Sequence, residues 1–153
     1  MKKLITLIIA FGISICSLYS QPKTIKGRVI SDDLETMPLV SIMINDTVEL
    51  GKTDLNGFFQ IDIPIFEKRI YFGFVGLDPT TIELGDNCDE VEVVMMLSGT
   101  YDFITLKKVD RLRMKRFKKL PELHKEAFKK GIFKTEYACY NYEFESYYLK
   151  KKK

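Results

Sequence analysis

The chain has 153 residues, with 24 Lys and Arg, 21 Asp and Glu, and a single His, for a net charge of +3. One histidine cannot supply a multi-histidine zinc site, and no His-Glu-x-x-His pattern occurs. The length suits one domain with an appendage, and the composition does not call for an enzyme.

Residues 1–20 stand apart from the rest. Lys2 and Lys3 precede an apolar run from Leu4 to Cys16 that is broken only by Thr6, Gly12 and Ser14, and Leu18-Tyr19-Ser20 ends on a small residue. This reads as a secretory signal peptide cleaved near Ser20. The alternative of a membrane anchor meets the difficulty that about 13 apolar residues fall short of the roughly 20 needed to span a bilayer. A lipoprotein cysteine at Cys16 would have Ile15 where a small residue is required. The expected location is exported: periplasmic, associated with the outer membrane, or secreted.

The mature charge is split in two. Residues 21–99 hold 14 acidic and 6 basic side chains, net −8, whereas residues 100–153 hold 16 basic and 7 acidic, net +9. Strand-like alternation stops near Ser98-Gly99. The expected organisation is therefore a β domain over 21–98 and a basic helical tail with an aromatic strip over 99–153.

The first half alternates with a period of two. Ile25, Gly27 and Val29 share a face, then Val40, Ile42 and Ile44, then Ile70, Phe72 and Phe74, then Ile82 and Leu84, and finally Val91, Val93, Met95 and Leu97. Asp32-Asp33, Asn45-Asp46, Pro64 and Gly76 to Pro79 mark loops and turns between them. The clearest hairpin is Thr53-Asp54-Leu55-Asn56-Gly57-Phe58-Phe59-Gln60-Ile61. Asp54 to Gly57 has turn chemistry, with Gly57 suited to positive φ, and Phe59 and Ile61 face the core beyond it. A slip of one residue would turn Phe59 and Ile61 outward, so this hairpin fixes the register. About seven short strands without a helical window argue for a mainly β, seven-stranded antiparallel sandwich.

Lys26-Gly27-Arg28-Val29, Met37-Pro38-Leu39-Val40-Ser41-Ile42, the Gly51 to Ile61 block, and Phe72-Gly73-Phe74-Val75-Gly76-Leu77 occur in order. Over residues 23–97 the chain resembles the carboxypeptidase regulatory-like domain, a transthyretin-like (prealbumin-like) sandwich common in Bacteroidetes envelope proteins. The resemblance implies an accessory module and no peptidase. Thr53, Asp54, Asn56, Gly57, Phe59, Ile61 and Gly76 are its structural motif residues. Met37 and Leu77 depart from it, since the family usually has glycine and an aromatic there.

The tail reads as helical. Asp102 is placed to cap a helix running to about Lys118. Phe103, Leu106, Val109, Met114, Phe117 and Leu120 form its apolar stripe. Lys107, Lys108, Arg111, Lys115, Lys118 and Lys119 form a basic face, with Leu112 and Arg113 as exceptions to this division. Those six cations are the candidate contact for something anionic: a membrane surface, lipopolysaccharide or an acidic envelope protein. The bland alternative is that the stripe packs on the sandwich and the lysines simply face water. No nucleic-acid motif is present.

Pro121 opens a second helix and Gly131 closes it. Tyr140, Tyr142 and Phe144 then alternate with polar residues, as a strand or an aromatic strip. His124 lies beside Leu120, Ala127 and Phe128, where a partly buried structural role is expected. Asp32, Asp33 and Glu35 are a weak calcium pattern and read as a solvated loop. No catalytic, cofactor or metal residues are assigned. With Cys16 removed, Cys88 and Cys139 are left either as a disulfide, which an oxidising compartment favours, or as two thiols. The expected function is a non-catalytic binding or scaffolding module of the cell envelope. The alternatives are an adhesion or assembly subunit acting through a sheet edge, and an enzyme of unrecognised type.

Overall fold

The computed structural model describes residues 22–45 and 47–151. The expected leader, Asp46 of the Asn45-Asp46 turn, and Lys152 and Lys153 lie outside the described residues.

Among the described residues eight strands and three helices follow one another. The strands are β1 (Pro22–Ser31), β2 (Ser41–Ile44), β3 (Val48–Lys52), β4 (Phe58–Pro64), β5 (Arg69–Gly73), β6 (Thr80–Leu84), β7 (Glu90–Met95) and β8 (Tyr140–Glu143). The helices are α1 (Leu106–Phe117), α2 (Leu120–Lys129) and α3 (Tyr147–Lys150), of which α1 and α2 lie between β7 and β8. The strands form two sheets, in the orders β4-β1-β7 and β3-β2-β5-β6-β8. Both sheets contribute to one buried cluster that includes Ile25, Ile61, Val93, Ile42, Phe72 and Ile82. The protein is thus mainly β, with two sheets over a shared core.

The stretch from Thr53 to Ile61 sets that core, but it is not the expected hairpin. Strands β3 and β4 lie in different sheets and do not pair, so its turn carries the chain from one sheet to the other. The register of β4 is set by β1, Ile25 opposite Ile61. Thr53 is buried; its Oγ1 donates to the Met37 carbonyl at 2.6 Å and accepts from the Val40 N–H at 2.9 Å. Asp54 Oδ1 accepts the Asn56 and Phe58 N–H groups, each at 2.8 Å. Gly57 adopts φ +78°, and a Cβ there would meet the Val29 carbonyl oxygen at 2.5 Å. The turn delivers Phe59 to the interior, edge-on to Phe72 with ring centroids 5.7 Å apart. Gly76 likewise has positive φ, in the turn between β5 and β6.

The strand pattern departs from the expectation in two further ways. First, the sheets are not wholly antiparallel, because β1 and β7 pair in parallel, Gly27 opposite Val91. A parallel pair needs a long crossover, and here strands β2 to β6 supply it. Second, an eighth strand comes from the tail: β8 pairs antiparallel with β6, Ile82 opposite Tyr142.

The tail also covers the outer face of β1 and β7. Ile30, Val94 and Met96 pack there against Leu120, Ala127 and Phe133. The consecutive apolar run Val93-Val94-Met95-Met96 therefore belongs to a strand buried on both faces. Leu97 lies beyond β7 and is partly exposed.

The helices refine the expected boundaries. Helix α1 begins at Leu106 behind Thr105, without a side-chain cap. Asp102 does not cap it, because Phe103 takes φ +61° and breaks the helical path. Phe103 is fully exposed and leaves the apolar stripe that the sequence assigned to it. The end of α2 follows expectation. Gly131, at φ +70°, donates to the Phe128 carbonyl, and Ile132 donates to that of Ala127. This is the paired closure of a helix ending in a left-handed glycine.

Cys88 and Cys139 form a disulfide, with Cα atoms 5.3 Å apart. It ties the loop before β7 to the residue preceding β8.

Candidate functional site

Helix α1 has a buried arc and a basic arc. Leu106, Val109, Asp110, Arg113, Met114 and Phe117 turn inward or sit half-buried. Lys107, Lys108, Arg111, Lys115, Lys118 and Lys119 are all exposed. At about 100° per residue Lys107, Lys108, Arg111 and Lys115 fall within an arc of about 100°, and Lys118 and Lys119 follow directly after the last residue of α1. Among the described residues, none of the six has a carboxylate partner. Leu112 lies exposed on the margin of this arc, and Phe103 is exposed just ahead of the helix.

The orientation of α1 is fixed by Arg113, which the periodicity could not place. Its guanidinium is 2% exposed and meets the equally buried Asp78 at 3.1 Å. It also donates to the Glu145 carbonyl at 2.7 Å and lies 3.7 Å from the Tyr147 ring centroid. One turn earlier, Asp110 holds the chain at the start of α3. It accepts from the Ser146 hydroxyl at 2.6 Å and from the N–H groups of Tyr147 and Tyr148, each at 3.0 Å. Burial works against its charge, but these donors and Arg113 outweigh that and hold its pKa below the ordinary carboxylate value. With its inner arc fixed in this way, α1 presents its cations outward.

Below the basic arc, α1, α2 and β8 enclose a groove of about 460 Å³. Met114, Phe117, Tyr137, Ala138, Tyr140 and Tyr142 form most of its wall, and Lys118, Lys125 and Glu136 also line it. The two tyrosines of β8 direct their hydroxyls away from it. Tyr140 donates to the Glu92 carbonyl at 2.6 Å, and the Tyr142 hydroxyl accepts the Val94 N–H at 2.9 Å. Burial raises the pKa of Tyr140 well above its ordinary value and pushes that of Tyr142 up to about 12. Both phenols therefore stay protonated. Their bonds also satisfy backbone groups on the free edge of β7, a position that would otherwise invite pairing with another strand.

His124 is buried at one end of this groove. Its Nε2 lies 3.1 Å from the Thr135 carbonyl and so carries the proton, while Nδ1 has no hydrogen-bond partner among the described residues. Burial lowers its pKa from the ordinary 6.5, against the charge of Glu92. The Glu92 carboxylate, itself buried, accepts the N–H groups of Lys134 at 2.7 Å and Thr135 at 3.0 Å. His124 thus sits among the contacts that fasten the chain beyond α2 to β7.

The remaining candidates are structural or dispersed. Thr53, Asp54, Asn56, Gly57, Phe59 and Ile61 build the turn that crosses from β3 in one sheet to β4 in the other, and Gly76 lies in a separate turn. Asp32 accepts from Arg116 at 2.6 Å and from the Leu97 N–H at 3.0 Å, so its carboxylate is engaged within the fold. Among the described residues no three metal-ligating side chains are grouped, and no helix is long and apolar enough to cross a membrane. Sequence reasoning missed Lys125 and Tyr137 and did not see the aromatic strip as the wall of a groove. The signal for the groove was the spacing of Tyr140 and Tyr142 opposite the apolar side of α1. No protein-family model and no curated protein matches the chain.

Proposed function

We propose that this protein is an exported, non-catalytic binding module of the cell envelope that docks on an anionic membrane surface through the basic face of α1. The observation that carries this reading is the set of six cations on α1 and directly after it, none with a carboxylate partner among the described residues, beside an inner side fixed by the Arg113–Asp78 pair. Phe103 and Leu112, exposed beside the arc, are placed to enter the headgroup region. The disulfide supports export, because such bonds persist in oxidising compartments. The two packed sheets and the sheet-crossing turn from Thr53 to Ile61 support a carboxypeptidase regulatory-like, transthyretin-like sandwich as the scaffold, now with a strand added from the tail. A binding role is also favoured over a catalytic one because the sole histidine is buried, with its proton engaged by a backbone carbonyl.

Sedimentation with vesicles tests the docking. Each cation near an anionic surface contributes about 1 kcal/mol. Reversing three of them, as in K108E/K115E/K119E, should therefore weaken binding to phosphatidylglycerol-containing vesicles by at least about 100-fold. Raising the salt should release the wild-type protein. Equal sedimentation with neutral phosphatidylcholine vesicles, or no effect of the triple variant, would remove the docking reading.

A further inference from the structure

The groove below α1 has a chemistry that narrows what it accepts. Its lining is mostly Phe117, Tyr137, Tyr140 and Tyr142 with Met114, Pro121 and Ala138, and His124 and Asn141 add the neutral polar part. The hydroxyls of Tyr140 and Tyr142 are committed to Glu92 and Val94 on β7. An extended peptide would bring a row of backbone N–H and C=O groups for which this mostly aromatic lining offers few partners, and burying them unpaired is costly. A hydrocarbon chain has no such demand. The volume of about 460 Å³ lies within the range of small-molecule sites.

The polar margin is mainly positive. Lys118 and Lys125 line the groove together with a single carboxylate, Glu136. Lys125 is held in place over the Tyr137 ring, 4.6 Å from its centroid. Lys118 has no carboxylate partner among the described residues, so its charge is available to a ligand.

From this juxtaposition of an aromatic trough with spent hydroxyls and two lysines at its margin, we infer that the groove binds a single-chain amphiphile. The acyl chain lies along Phe117, Tyr140 and Tyr142, and its anionic head meets Lys118 and Lys125. This goes beyond docking on a membrane surface. It concerns a monomeric ligand taken out of water, and it shares only Lys118 with the basic face.

The test is calorimetric titration of the intact protein with sodium dodecanoate below its micelle concentration, alongside dodecanol as the uncharged counterpart. Saturable one-to-one binding is expected, with dodecanol at least tenfold weaker. K125E should weaken dodecanoate binding several-fold, and A138W, which fills the trough, should weaken it at least tenfold. The circular dichroism spectrum is recorded to confirm that each variant is folded, and K125E, a surface change, keeps the test valid if A138W does not fold. A folded A138W should still sediment with anionic vesicles. Absence of saturable dodecanoate binding, equal affinity for dodecanol, or unchanged affinity in folded A138W or K125E would each overturn the inference. If vesicles are bound and dodecanoate is not, the groove inference fails while the surface reading stands.

Discussion

Arg113→Met is the sharpest test of how α1 is held. The change keeps most of the side-chain volume and removes the guanidinium. Asp78, 2% exposed, would then be a buried carboxylate whose one remaining side-chain donor is the Tyr147 hydroxyl at 3.3 Å. The Glu145 carbonyl would also lose its 2.7 Å donor. Breaking a buried pair by removing one partner costs about 3–5 kcal/mol, a large share of the 5–15 kcal/mol typical of a domain. Urea unfolding at a slope near 2 kcal/mol per molar should move its midpoint down by about 2 M. Adding Asp78→Asn removes the orphaned charge while leaving an amide oxygen for Tyr147. The double variant should therefore recover about 2 kcal/mol relative to the sum of the single changes. A cost below about 1 kcal/mol for the single change, or strict additivity, would refute the claim that this pair anchors the helix.

Other outcomes follow from the same contacts. Phe59→Ala removes the ring packed against Phe72 and should cost about 3–5 kcal/mol, read by chemical denaturation. Cys88→Ser with Cys139→Ser opens a closure across 51 positions, for which the loop-entropy model gives roughly 4 kcal/mol; a much smaller loss in thermal melting would count against that account. His124 has a folded pKa below 6.5, so the unfolded chain binds the proton first as the pH falls. Its contribution is fully present above pH 6.5 and is lost below it, at up to about 1.4 kcal/mol per pH unit, until the folded pKa is reached. His124→Gln should flatten that part of the stability profile.

The legibility of the chain varied with the range of the interactions. Local chemistry could be read: the turn at Gly57, the helix end at Gly131 and the basic arc from Lys107 to Lys119 each depend on neighbours within a few residues. Arg113 could not be placed because its partner, Asp78, lies 35 positions earlier, and periodicity alone made it an intruder on the apolar stripe. The start of α1 was misplaced because Asp102 has the right side chain for a cap, and nothing local announces that Phe103 adopts a left-handed backbone. The aromatic strip showed its alternation. Its addition to β6, and the reach of its hydroxyls to β7, depend on a closure that only the assembled sheets define.

The two tyrosine hydroxyls on β7 bear on whether the protein can be divided. A fragment ended near residue 98, where the charge changes sign, would look like a natural cut in the sequence. It would present Ile30, Val94 and Met96 as a bare apolar stripe. Beside that stripe, the Glu92 carbonyl and Val94 N–H would be open to any passing strand. Such a fragment would be driven to self-association, whereas the longer chain carries its own stopper in the segment that follows residue 98.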